Sequence, residues 1–537
     1  MRRRALVVGL AVVVLLAGAA RGALFRGTDR ADKLTGTPAT DTIYGLAGAD
    51  AIDARGGADL IVPGAGRDTV NGGPGDDRIA AQDGAVDEIT CGPGVDTVTA
   101  DAADVVAPSC ETVSVQLSRD TTSDYYAQHD TQVEPDSFAW KNTVVAAFQS
   151  GRISNGGAAA LGFATSIDAG AHWRNGTLPQ GDYYIVSDPV VAYDSVHGYW
   201  VVAGLGAGAG LFDVYVVRSR NGVTWNAPIR AVTDADEDYD KEWLTCDNGA
   251  HSKFRGTCYL AYVDTKTQWL AIRRSTDGGA TWSASVRIQP GVDGATFSGP
   301  MPVVQPNGDV VVPYVLYAPI SHGEDRMAAV ISRDGGATFD APVRIAGLDY
   351  VDGFDVRAPT MPSAGVDAGG TVYVVWADSR FREDANSTDI VLSRSSNGTS
   401  WSDPVRLPLH ENGAALEFIP AIGVDAATSG KTAHLAVAYY TMRLPARCAL
   451  FIPGCAQQLD AWLVESKTGG ATWTRPRRLN VEPMSIDWLA DTSLGRMFGD
   501  YVSVSFAAGR AVAVTSLAGQ PTTFKLSQAI YATRGAR

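Results

Sequence analysis

Aspartate recurs at nine-residue intervals near the start of this chain, and that period constrains the fold more than any other feature. Asp32, Asp41, Asp50, Asp59, Asp68 and Asp77 stand nine apart; a ten-residue step leads to Asp87, and nine more reach Asp96. Two residues after each lies an aliphatic: Leu34, Ile43, Ile52, Ile61, Val70, Ile79, Ile89, Val98. Glycines precede the Asp, as in GGPGDDRIA from Gly72 to Ala80. The aliphatic is the only regular apolar position, so each repeat contributes one short strand to a thin core. Glycine permits a sharp turn with carbonyls turned inward, and Asp adds a hard carboxylate oxygen. Stacked turns then offer six or more oxygens, a set suited to Ca²⁺. Without a cation the stacked acids repel, and the thin core is too weak to compensate. Residues 27–104 hold fourteen Asp and one Glu against five Lys or Arg.

The pattern resembles the RTX, or hemolysin-type, calcium-binding repeat GGxGxDxUx over about eighty residues. The resemblance implies a parallel β-roll, with Asp32, Asp41, Asp50, Asp59, Asp68 and Asp77 as Ca²⁺ ligands. Only the Gly72 unit carries every glycine, and the first two units have one each. The expected sites therefore concentrate between Asp41 and Asp77; the alternative is an acidic stalk without metal. From Cys91 to Cys110 the repeat decays, and a disulfide there would cap the roll.

At 537 residues the chain exceeds one compact core. Its net charge of −15 disfavours nucleic acid and anionic membranes as partners. Arg2, Arg3 and Arg4 precede an apolar run from Ala5 to Ala20, followed by small residues. This reads as a secretory signal cleaved between Ala19 and Ala23, too short for a membrane span. Export permits disulfides. The six cysteines form sequence-local pairs, Cys91–Cys110, Cys246–Cys258 and Cys448–Cys455, although about fifteen connectivities are formally open.

A second repeat follows. Ser166–Trp173 reads SIDAGAHW, Ser275–Trp282 STDGGATW, Ser332–Phe339 SRDGGATF and Ser466–Trp473 SKTGGATW, with shorter SRNGVTW at Ser219 and SSNGTSW at Ser395. Starts are spaced by 53, 56, 57, 63 and 71 residues, the length of a propeller blade. Each unit reads as four antiparallel strands: a first beginning near a proline, an alternating second such as Thr371–Trp376, a third running into the box and a fourth leaving it. The motif is similar to the Asp-box, or BNR, repeat of the sialidase superfamily, over about residues 130–480. In that family the box is structural: its Asp or Asn closes a turn by accepting backbone N–H groups, far from the substrate face. After the sixth box, residues 499–533 offer three more strands, and residues 112–118 could supply a fourth. That favours seven blades, with six as the alternative. The expected organisation is a signal peptide (1–23), a roll (24–111) and a β-propeller (112–537), all-β throughout.

Polar residues cluster where first strands begin: Glu134, Asp188, Asp240, Lys241, Glu242, Arg357, Glu417 and Asp500. They are either turn residues or a ring lining a channel mouth. The sialidase resemblance implies a Tyr nucleophile, an activating Glu and arginines holding the substrate carboxylate. Tyr501, Glu242, Arg357 and Arg496 match those roles. The departure is Val133–Glu134–Pro135, which places Glu where the first carboxylate-binding Arg is expected. No P-loop surrounds Gly430–Lys431–Thr432, because Asp425 stands where a glycine is needed. Two functions are expected: an extracellular calcium-binding protein whose propeller recognises glycans or cell-surface proteins, or a secreted exo-sialidase-type glycosidase.

Overall fold

The computed structural model describes residues 22–208, 210–233, 238–319, 323–350, 356–382, 387–410, 415–443, 457–522 and 525–535. The Cys448–Cys455 pair and nearly all of the expected signal peptide lie outside them. The chain is all-β: two short 3₁₀ turns, Gly430–Thr432 and Ile486–Trp488, are the only helical elements among the described residues. No helix there is long and apolar enough to cross a membrane. Two compact units result. The first ends at Asp96 and takes in Ala103–Cys110; the second holds Thr97–Ala102 and the chain from Glu111.

The first unit is a parallel β-roll. Strands Leu24–Arg26, Thr42–Ala47, Leu60–Ala65 and Arg78–Ala80 form one parallel ladder; Lys33–Thr35, Ala51–Asp53, Thr69–Asn71, Glu88–Thr90 and Val105–Val106 form the other. Thr42 pairs with Leu24 on one side and Leu60 on the other, so a full coil takes eighteen residues. The nonapeptide is half a coil: each repeat gives one strand, but two repeats return the chain to the same sheet. Leu34, Ile43, Ile52, Ile61, Val70, Ile79 and Ile89 are all buried, which makes the single aliphatic row the core. Close stacking explains the glycines. A Cβ on Gly66, at φ 135°, would lie 1.7 Å from Gly48 O one coil away. A Cys91–Cys110 disulfide closes the last coil.

The second unit contains seven four-stranded antiparallel meanders among the described residues. Their first strands are Ala127–Trp140, Ile185–Asp194, Tyr239–Cys246, Thr296–Ser298 with Val303–Val304, Ser363–Val366, Ala415–Val424 and Ser503–Ala507. The seventh meander takes its fourth strand from Thr112–Gln116, where Ser114 pairs with Thr533, as the 112–118 segment led us to expect. Each first strand lies against the next, and the seventh returns to the first. Side chains bridge these splayed strands: Val191 N–H donates to Asp136 Oδ2 (2.7 Å), Ser137 N–H to Ser503 Oγ (2.9 Å) and Ile422 N–H to Ser363 Oγ (2.9 Å). In the third meander the Cys246–Cys258 disulfide joins directly opposed residues.

The Asp boxes close turns between third and fourth strands. Asp277 Oδ1 accepts the N–H groups of Ala280 (3.0 Å) and Thr281 (2.9 Å), while Ser275 Oγ accepts that of Gly279 (2.9 Å). Asn221 and Asn397 act in the same way; in the sixth box Thr468 Oγ1 accepts Thr472 N–H (2.8 Å). At four of the six boxes the residue just before the box reaches the next meander's box. Thr165 donates to Gly222 O, Arg218 to Gly278 O (3.2 Å), Arg274 to Gly335 O (3.1 Å) and Arg394 to Gly469 O (3.2 Å). The boxes are thus latched to one another as well as closed on themselves.

A charge-assisted bond to a backbone carbonyl contributes roughly 1.5–3 kcal/mol. Arg274→Ala should therefore lower unfolding free energy by about 1–2 kcal/mol in denaturant titrations. Arg333→Ala, which removes an exposed pair with Asp340, should change it by less than about 0.5 kcal/mol.

Candidate functional site

Two places gather chemistry. In the roll, one oxygen of each repeat aspartate accepts the N–H of the aspartate a coil earlier: Asp32 N–H to Asp50 Oδ1 (2.8 Å), Asp41 to Asp59 (2.7 Å), Asp50 to Asp68 (2.7 Å), Asp59 to Asp77 (2.9 Å) and Asp68 to Asp87 (2.8 Å). The other oxygen, Oδ2, of Asp50, Asp59, Asp68, Asp77 and Asp87 meets no hydrogen-bond partner among the described residues, although all five side chains are buried. A Cβ on Gly45 would fall 2.5 Å from Asp50 Oδ2 and 2.0 Å from Pro63 O, and one on Gly72 would fall 2.5 Å from Asp77 Oδ2 and 2.7 Å from Cys91 O. Glycine thus keeps open a cradle of carboxylate and carbonyl oxygens. Among the described residues no three His, Cys, Asp or Glu side chains converge as a metal set, so a cation there would draw on backbone carbonyls too. An all-oxygen donor set of this kind fits Ca²⁺.

The first two repeats differ. Asp32 Oδ2 accepts Thr28 N–H (2.6 Å) and Asp41 Oδ2 accepts Thr37 N–H (2.6 Å). Threonine stands there where later units carry Leu46, Arg55, Gly64, Gly73 and Asp83, and it occupies the oxygen a cation would need. Asp87, which falls after the ten-residue step, belongs to the uncommitted set. Burial is the first cause of the raised carboxyl pKa values here, reinforced by the neighbouring aspartates: Asp59 is pushed up to about 6, and Asp77 and Asp87 to about 7.

In the second unit the first strands of the first, second, third and sixth meanders each carry a β-bulge. At each bulge one residue adopts left-handed backbone: Glu134 (φ 51°), Asp188 (φ 49°), Lys241 (φ 55°) and Ile419 (φ 47°). Non-glycine residues rarely adopt this conformation, and a bulge re-aims its side chain. Three ionisable residues are thereby brought together. Asp500, on the segment before the seventh first strand, receives both Lys241 Nζ and Arg357 Nη2. Lys241 Nζ also lies 3.9 Å from Asp188 and 4.0 Å from Asp240. Glu134 accepts Gln149 Nε2 and, at 3.2 Å, Asp500 N–H. Arg152 Nη1 donates to Gln149 Oε1 (3.0 Å) and Gly157 O (2.9 Å).

Burial alone would raise Asp500, but Lys241 and Arg357 hold it down to about 2. Burial, then Asp188 and Asp500, push Glu134 up to about 8. Glu242 is driven well above the usual range by burial and Asp188, and neither of its oxygens meets a donor among the described residues. Both acids are thereby pushed toward their protonated forms. The remaining formal charges cancel: Arg152, Lys241 and Arg357 against Asp188, Asp240 and Asp500.

Tyr501 and Glu242 line one chamber with Trp243, Asp188 and Asp500. The Tyr501 hydroxyl donates to Pro189 O (3.1 Å), and its ring meets Trp243 edge-on at 5.2 Å. Burial and nearby carboxyls raise it well above 10. Arg357 lies in the cluster, but the Arg496 guanidinium does not join Asp500: it donates to Leu489 O (3.0 Å) and stands 3.9 Å from Asp491. Glu417 is placed apart as well. It accepts Ile390 N–H (3.1 Å) beside Asp389, which Arg382 and Arg406 hold at 2.6 and 2.9 Å. The sequence reading missed Gln149, Arg152 and Trp243. Only Trp243, beside Lys241–Glu242, carried a positional hint.

Residues 200–419 match the BNR repeat-like domain family, and residues 26–61 and 63–85 match the RTX calcium-binding nonapeptide repeat. The chain therefore carries an RTX repeat region followed by a BNR repeat-like domain. No curated protein is matched by sequence. Among solved structures, a protein of unknown function from Dyadobacter fermentans is similar at 17% identity over 66% of this chain and 98% of its own (TM-score 0.43). An ulvan lyase is similar at 10% identity over 75% and 94% (TM-score 0.44), and a Hadza microbial sialidase at 14% over 74% of each (TM-score 0.40).

The roll's carboxyls set a sign for pH. Their folded pKa values exceed the ordinary 3.8, so the unfolded chain releases these protons first as pH rises. Stability of the calcium-free roll should fall between about pH 4 and pH 7. Circular dichroism of the full chain in chelator should lose roll signal at pH 8 relative to pH 5, and millimolar Ca²⁺ at pH 8 should restore it where Mg²⁺ does not.

Proposed function

We propose that this is a calcium-stiffened recognition protein working outside the cell, its signal peptide removed. In this reading the RTX roll is a spacer, and the second unit is a seven-bladed β-propeller that presents a glycan- or protein-binding mouth. The closed cycle of seven first strands supports the propeller. Two disulfides support an oxidising compartment. The observation that carries recognition rather than sialoside cleavage is Asp500, which takes both Lys241 and Arg357. Lys241 and Arg357 are thereby committed to Asp500 rather than to a substrate carboxylate, and the Tyr501 hydroxyl donates to Pro189 O.

An exo-glycosidase remains as a second reading because of Glu242, a buried acid whose oxygens meet no partner among the described residues and which shares a chamber with Tyr501. The two readings separate in one assay. A fluorogenic sialoside should show no turnover above background, since a preorganised cation for the substrate carboxylate is worth roughly 3–4 kcal/mol and Lys241 and Arg357 are both held by Asp500. Turnover abolished by both Tyr501→Phe and Glu242→Gln, with folding intact, would install the enzyme reading instead.

A further inference from the structure

A second cavity of about 320 Å³ opens beside the Asp500 cluster, lined by Glu134, Arg152, Asp188, Asp240, Lys241 and Arg357. It is also lined by Phe212 and Tyr239, whose rings stack at 5.8 Å with planes 11° apart. Tyr239 is buried, whereas Phe212 is 38% exposed, so the outer ring is backed by the inner one and open to a ligand. The volume lies at the low end of small-molecule pockets, roughly 300–1,000 Å³, and suits one or two rings.

We propose that this cavity binds a neutral, hydroxyl-rich sugar, with Phe212 as its stacking platform and the Asp240–Lys241–Arg357 side as its hydrogen-bonding wall. This deepens the recognition reading above and rests on it.

Three features select that chemistry. First, the wall alternates acceptors with donors, and a sugar hydroxyl needs both; bonds to ionised partners are the stronger kind. Second, the lining cations Arg152, Lys241 and Arg357 are offset by Asp188 and Asp240 in the lining and by Asp500, which holds Lys241 and Arg357 from behind it, so formal charge over the cluster sums to zero, with Glu134 pushed toward its protonated form. A carboxylate or ammonium ligand would gain no net Coulomb attraction and would lose its hydration. Third, the negative face of an aromatic ring favours the polarised C–H face of a pyranose over an anionic group. The buried Arg152 Nε has no partner among the described residues, and it belongs to a residue lining this cavity.

The test uses the full chain with millimolar Ca²⁺. Probes are immobilised neutral oligosaccharides of glucose, galactose, mannose and xylose, sialyllactose and oligogalacturonate as anions, and chitosan oligomers as cations. Neutral probes should bind. Phe212→Ala and Asp240→Asn should each weaken the best neutral probe at least tenfold by calorimetry, with circular dichroism unchanged. Asp240 is half-exposed, so Asp240→Asn keeps the test open if the Phe212 variant unfolds. An anionic or cationic probe that binds best and is lost in both variants would overturn the charge argument while leaving recognition intact. Neutral binding untouched by either variant would overturn the location. Binding of no glycan at all would overturn the recognition of glycans itself.

Discussion

One buried carboxylate organises the centre of the second unit. Seven first strands converge, and four of them bulge so that a side chain is turned out of the ladder. Three of those side chains are ionisable, and two are acids. Convergence of acids in a place sheltered from water is costly unless cations or protons neutralise them. Asp500 meets that requirement by drawing Lys241 from the third meander and Arg357 from the fifth onto one oxygen. Burial and the neighbouring carboxylates push Glu134 and Glu242 toward their protonated forms.

The roll faces the same problem and solves it differently. None of its described Lys or Arg residues is buried, and Asp50, Asp59, Asp68, Asp77 and Asp87 each spend one oxygen on a backbone N–H and leave the other uncommitted. Folding there is tied to an ion or a proton, whereas the second unit carries its counter-charges in its own sequence. The same contrast separates their glycines. In the roll they admit the neighbouring coil; in the Asp boxes they follow a side chain that closes the turn.

Repeats exposed most of this fold. The nine-residue period announced parallel strands, and the spaced Ser-x-Asp-Gly boxes announced meanders, because each repeat encodes a local turn that needs nothing distant. What stayed hidden depends on contacts far apart in sequence. Thr28 and Thr37 look like neutral variants of the repeat, yet they take the oxygens of Asp32 and Asp41. Arg496 precedes Tyr501 as the family pattern suggests, but its guanidinium turns to Leu489 O. Glu417 accepts Ile390 N–H from the fifth meander instead of joining the cluster it was expected to join. Arg152 lies in a second strand with no motif around it, and its Gln149 contact is what ties it to Glu134.

The central claim is that Asp500 holds two cations in a buried, internally balanced site. Equilibrium denaturation of Asp500→Asn tests it most directly, with Asp240→Asn as the partly exposed control. Removing one partner of a buried ion pair costs roughly 3–5 kcal/mol because the remaining charge is stranded. The account predicts a loss of about that size for Asp500→Asn and less than about 1 kcal/mol for Asp240→Asn. Equal and small effects of the two substitutions would contradict it, since they would place Lys241 and Arg357 in contact with solvent rather than with Asp500.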